Sequence, residues 1–184
     1  SIQSQQGQVS GALLDSQSVV PADMVIVAAG SLVNSELVQH AGIELLNGSV
    51  VVSDRMQTSI SNIFAAGDVC IVPDFITKKM VRSTTWSDAM LQGLCAATSL
   101  SATPRSYQGA IGIRDSYFFG MPFYGCGQTV DSSLKVVVRK KTTDTLDVVY
   151  LDQDGRLKGF VLFGDISCLS DLKRAYMLQE TIGL

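Results

Sequence analysis

The chain has 184 residues, 46% of them apolar and only 17% charged, with a formal net charge of -3. That length suits one or two domains with an adequate core, and so few charges leave an apolar surface of the kind found on oligomers and truncated proteins. The slight acidity gives no electrostatic basis for holding nucleic acid or an anionic membrane.

No apolar run reaches membrane-spanning length and the start is not a signal peptide, so the expected protein is soluble and cytoplasmic. The four cysteines, Cys70, Cys95, Cys126 and Cys168, form no C-x-x-C pair, and His40 is the single histidine. A zinc site and a disulfide framework are therefore not expected, and the thiols read as buried and reduced. His40 falls near a helix end, where a surface cation is favoured.

In chain order, residues 1–30 read as strands, with turns at Gly7 and Gly11. The run Asp23-Met24-Val25-Ile26-Val27-Ala28-Ala29-Gly30 reads as a continuous buried strand. A short helix is expected from Asn34, as its cap, to Ala41, stopped by Gly42. Ser49 to Ser53 reads as a strand. Thr58 to Asp68 follows, an apolar run that narrows to Ala65-Ala66-Gly67 and ends on a carboxylate. Its physical reading is a buried strand that stops beneath a ligand. The small residues let backbone approach a bulky group. Asp68, at the strand's carboxyl end, would accept hydroxyl hydrogen bonds, or else cap a turn.

Val69 to Ser83 reads as a loop carrying Lys78, Lys79 and Arg82. A helix is expected from Thr85 to Leu100, with Asp88 completing a capping box and Trp86, Met90, Leu94 and Ala97 along one face. A linker around Pro104 leads to five strands, Ser116–Phe119, Phe123–Val130, Leu134–Lys140, Thr145–Leu151 and Leu157–Phe163. Asp154-Gly155 makes a hairpin turn between the last two. Leu169, Leu172 and Tyr176 mark a final helix. The fold class read from these elements is α/β passing to α+β, ending in a small strand-rich domain with a final helix.

The segment from Thr58 to Asp68 closely resembles the second flavin-binding motif of the two-dinucleotide-domain flavoprotein oxidoreductases, the glutathione-reductase-like superfamily. The flanks extend the likeness in order: Ala22 to Gly30, then Ala41-Gly42-Ile43, then Val50-Val51-Val52. Where that family often has Pro-Asn after the glycine, this chain has Val33 before Asn34. Trp86-x-x-Ala89-x-x-Gln92-Gly93 resembles the following helix in nitrite-reductase-like and ferredoxin-reductase-like members. Gly155 to Asp165 resembles the carboxyl-terminal region of NADH-dependent nitrite reductase and NADH oxidases.

The resemblance implies FAD and NAD(P)H as the parent enzyme's cofactor and substrate. Cofactor-binding positions would be Gly67, Asp68, Val69, Trp86, Ala89 and Gly30. Asp68 would hold the ribityl chain, and the helix N-terminus would favour the reduced, anionic cofactor. Asp23 and Gly30 would line the nicotinamide side or serve the backbone alone.

The G-x-G-x-x-G phosphate loop of that family has no counterpart in this sequence, and the first residue is Ser1. The expectation is a carboxyl-terminal part of a larger enzyme. Residues 1–47 would end the NAD(P) domain, 48–102 would form the second half of the FAD domain, and 103–184 an interface domain. On its own this fragment would lack FAD and be inactive.

No residue is assigned to catalysis or to a metal. Cys70 reads as unreactive, since the family's redox cysteines belong to the other half. The expected partners are a second copy in a homodimer and a redox acceptor, protein or small molecule. Lys78, Lys79 and Arg82 would meet a pyrophosphate or an acidic protein, or stay solvated. The aromatics Tyr117, Phe118, Phe119, Phe123 and Tyr124 would be core, homodimer interface or docking surface. Two other readings have this chain as a non-enzymatic dimerisation or scaffold module, or as one subunit of a split flavoenzyme.

Overall fold

The computed structural model describes residues 1–183 and divides into two compact units, Ser1–Leu32 and a larger one from Val33 onward. The first unit is an antiparallel meander of β1 (Ile2–Gln5), β2 (Gln8–Leu13) and β3 (Val19–Pro21). Gln6 and Gly7 turn the first hairpin with φ of 51° and 80°, as a two-residue turn matched to strand twist requires. The expected buried strand Asp23–Gly30 does not form. Its residues join no sheet, and Met24, Ile26 and Val27 stand 73–83% exposed. An apolar run becomes a buried parallel strand only between flanking strands, and β2 already has β1 and β3 on its two sides.

The larger unit begins with α1 (Glu36–His40), shorter than expected. Ser35, not Asn34, holds the N-cap position, and its hydroxyl accepts from the Gln39 side chain at 2.9 Å. Gly42, at φ +70°, follows the helix end as expected.

A four-stranded mixed sheet comes next, in the order β4 (Leu45–Leu46), β5 (Ser49–Val51), β6 (Cys70–Pro73) and β7 (Met80–Val81). Only β5 and β6 run parallel. The stretch 69–83 is therefore a hairpin, not a plain loop. Asp74 closes it, accepting the amides of Ile76 and Thr77 at 3.1 and 2.7 Å. Val50, Cys70 and Val72 of this sheet are fully buried in one core with Met56.

Helix α2 (Trp86–Ser99) starts where the capping box predicts, Thr85 accepting the Asp88 amide at 3.3 Å. A five-stranded antiparallel sheet follows, built from β8 (Arg114–Phe118), β9 (Met121–Gly127), β10 (Lys135–Lys141), β11 (Leu146–Leu151) and β12 (Leu157–Phe163). Its order is β10-β11-β12-β9-β8. Helix α3 (Leu169–Leu178) packs Leu172, Ala175 and Tyr176 against Phe160, Leu162 and Cys126 of this sheet.

The edge strand β10 carries its charges outward. Arg139 grips Asp147 through two hydrogen bonds of 2.9 and 2.7 Å, and Lys140 pairs with Asp165 at 2.9 Å. The aromatic cluster divides. Tyr124 stacks on Phe160 at 6.2 Å, while Tyr117, Phe118 and Phe119 stand exposed at the β8–β9 hairpin.

Candidate functional site

Residues 57–69 do not form the expected buried strand. Gln57 and Phe64 make a single antiparallel bridge, and the chain between them turns back on itself, with the Thr58 amide donating to the Ile63 carbonyl at 3.0 Å. The Thr58 hydroxyl accepts the Ile60 amide and donates to the Ile60 carbonyl, which holds the turn from inside. The strand begins only at Cys70, so Asp68 stands at its amino end rather than at the carboxyl end of a preceding strand. Local side-chain hydrogen bonds from Thr58 thus outcompete a ladder that the apolar pattern alone suggested.

Gly67 is the pivot. Its φ of +89° is one that side chains disfavour, and a methyl group built there would rest 3.8 Å from the Ala89 Cβ. Its carbonyl accepts the Cys70 amide at 2.9 Å, and its amide donates to Gln92 Oε1 at 2.8 Å. The turn is therefore pinned to helix α2 by Gln92. The next residue, Asp68, is exposed, and among the described residues its carboxylate makes no ion pair. The half-buried Val69 carbonyl accepts the Val50 amide at 2.9 Å, which ties the turn to β5.

The inner face of α2 differs from the expectation. Trp86, Met90 and Leu94 are exposed, Trp86 by 80%, and the buried residues are Asp88, Gln92 and Cys95. Asp88 accepts from the hydroxyls of Ser83 at 2.5 Å, Thr85 at 3.0 Å and Tyr107 at 3.4 Å, and from the amides of Ile111 and Gly112 at 3.1 Å each. Gln92 Nε2 lies 3.5 Å from Tyr107 Oη. Burial pushes the Tyr107 phenol up, away from ionisation.

Sequence reasoning read Asp88 as a cap only and missed Tyr107. The available signal was Asp88, Gln92 and Cys95 at positions i, i+4 and i+7, one helix face, opposite the apolar stripe.

Of the residues expected at the site, Gly67, Asp68 and Val69 form the turn, Ala89 lies on the helix that Gly67 bonds, and Trp86 opens α2. Gly30 is exposed at φ +85° and belongs to the separate amino-terminal unit. His40 is exposed at the end of α1. Lys78 is engaged locally, 5.0 Å above the Phe75 ring.

All four thiols are free, and burial pushes those of Cys70 and Cys126 up to about 12, so both stay protonated and poorly nucleophilic at neutral pH. Among the described residues no cluster of side chains could hold a metal ion, and no helix is long and apolar enough to cross a membrane.

These features fit a flavin dinucleotide. The turn offers an outward carboxylate for hydroxyl groups and small half-buried residues at Ala65 and Ala66, and the fourteen-residue helix beside it offers the Trp86 and Ser87 amides of its first turn, which lack intrahelical acceptors.

Residues 1–93 match the family model described as pyridine nucleotide-disulphide oxidoreductase. A rubredoxin-NAD(+) reductase of Pseudomonas putida is 32% identical over 161 residues, covering 84% of this chain and 40% of that protein. An NADH oxidase of Enterococcus faecalis is 34% identical over 131 residues, covering 70% of this chain and 29% of that protein. The crystal structure of an FAD-dependent pyridine nucleotide-disulphide oxidoreductase from Desulfovibrio vulgaris superposes with a TM-score of 0.79 at 26% identity, over 98% of this chain and 48% of that one. The chain thus spans less than half the length of each. By the family match over residues 1–93, together with the turn and helix that carry its motif, this chain belongs to the pyridine nucleotide-disulphide oxidoreductase family.

Proposed function

We propose that this chain is the carboxyl-terminal region of an FAD-dependent oxidoreductase that takes electrons from NAD(P)H. Residues 1–47 would close the nicotinamide domain, 48–102 supply the second half of the flavin site, and 103–184 form the interface of a homodimer. The observation that carries this reading is the Gly67 turn, clamped at its amide and its carbonyl, which sets Asp68 outward.

Asp68 would accept hydrogen bonds from the ribityl hydroxyls. The first turn of α2, opened by Trp86, would favour negative charge on the pyrimidine edge. Bound there, FAD would supply the hydride-accepting and electron-passing chemistry. This chain's part is to bind and orient it. No side chain here is assigned to proton transfer, and without a phosphate-cradling loop the chain alone is expected to be inactive.

The acceptor belongs to one of two classes. The Pseudomonas putida relative is named for a protein acceptor, rubredoxin, and the Enterococcus faecalis relative is named as an oxidase of NADH. A second reading rests on the exposed face of α2. Trp86, Met90, Leu91 and Leu94 form an apolar stripe of the kind that meets another polypeptide. It would suit a dimerisation or scaffold module, or one subunit of a split flavoenzyme.

Purification of the native polypeptide that carries this sequence, with its intact mass and visible spectrum, tests both. Flavin absorbance bleached by NADH or NADPH is the expected result. A flavin-free polypeptide of this chain's own mass would defeat the enzyme reading and leave the scaffold.

A further inference from the structure

We infer that Gln92 is the positioning residue of the cofactor turn: without touching the cofactor, it sets Asp68 by holding the Gly67 amide. The inference rests on the flavin reading of that turn. A fully buried carboxamide is costly unless its polar atoms are satisfied, and Gln92 is 0% exposed. Its one short hydrogen bond reaches 25 residues back along the chain to Gly67, at 2.8 Å.

The direction of that bond is fixed by chemistry. The Gly67 amide can only donate, so the carboxamide oxygen must face it and the NH2 group must face Tyr107 Oη. Tyr107 in turn donates to the Asp88 carboxylate, which also binds the Ile111 and Gly112 amides. The Gln92 side chain therefore has a single satisfied orientation.

Glycine at positive φ has more backbone freedom than any other residue. Two bonds remove that freedom at Gly67: its carbonyl to the Cys70 amide and its amide to Gln92. The first is local to the turn. The second alone ties the turn to α2, the element that also offers its amino-terminal end to the same ligand. With Gln92 silent, the peptide before Gly67 is free to rotate, and Asp68 loses its fixed relation to that helix. Tyr107, at 3.5 Å from Gln92 and 3.4 Å from Asp88, makes long contacts and should matter less.

The test reads the turn and the cofactor separately. Amide hydrogen exchange on this chain compares wild type with Gln92→Met, which keeps the volume and lacks the acceptor. Gly67 exchange should rise about fivefold or more in Gln92→Met, while the Val149 and Phe160 amides keep their protection. In the native polypeptide, Gln92→Met should weaken FAD binding about tenfold. Should Gln92→Met fail to fold, Gln92→Asn, with its oxygen one methylene short, replaces it.

Unchanged exchange at Gly67 would overturn the inference, and so would faster exchange with unaltered FAD affinity. If neither wild type nor Asp68→Ala binds FAD at all, the cofactor reading itself falls and the inference falls with it. That outcome is distinguished by a Gly67 amide that still responds to Gln92.

Discussion

Helix α3 turns Leu172, Ala175 and Tyr176 inward and leaves Asp171, Lys173 and Arg174 in water, whereas α2 turns Asp88, Gln92 and Cys95 inward and leaves Trp86, Met90, Leu91 and Leu94 exposed. The first is held by removal of apolar surface from water, which is non-directional and tolerant. The second is held by directed hydrogen bonds, which fix geometry and tolerate little. The difference separates a helix held by apolar packing from one held by a polar network. It also explains why α2 carries its apolar residues outward: its inner face is committed to the Gly67 turn and to the segment entering the five-stranded sheet.

Four substitutions would break or sharpen that contrast. Asp88→Ala strips the acceptor from three hydroxyls and two amides, and should cost about 3 kcal/mol or more by urea unfolding, since each buried donor left unsatisfied costs roughly 1–3 kcal/mol. A loss below about 1 kcal/mol would show that the inner face of α2 is not held by Asp88. Leu172→Ala empties a core position on α3 and should cost about 3 kcal/mol, within the usual range for such truncations. Tyr176→Phe should gain up to about 1 kcal/mol, because the Tyr176 hydroxyl is buried and unpartnered among the described residues. A measurable loss would mean that this hydroxyl has a partner in solution. Leu94→Gln, on the exposed stripe of α2, should change stability by less than about 0.5 kcal/mol in this chain. A larger effect would mean that the stripe is covered, and α2 would then resemble α3 after all.

The last three strands and the final helix were legible in the sequence because each satisfies its own pattern. β10, β11 and β12 appear within a residue of their expected limits, Gly155 turns at φ +77°, and Leu172 and Tyr176 face the sheet. Asp23–Gly30 was misread because a buried strand depends on neighbours that periodicity does not reveal. Thr58–Asp68 was recognised correctly as a motif and incorrectly as a strand, since Thr58 and Gly67 impose turns through bonds that hydropathy ignores. Gln92 was visible only as a letter in a pattern. Its role needed the fold, because its partner lies on another element 25 residues away.

The central claim is that the turn at Gly67 and Asp68 holds a flavin, and it stands or falls with Asp68. Flavin content and FAD dissociation should be measured on the native polypeptide carrying this sequence, as wild type and as Asp68→Ala. The account predicts that the wild type retains FAD and that Asp68→Ala binds it at least tenfold more weakly, as loss of hydrogen bonds to a charged acceptor requires. Equal flavin content and equal dissociation constants in the two proteins would contradict it.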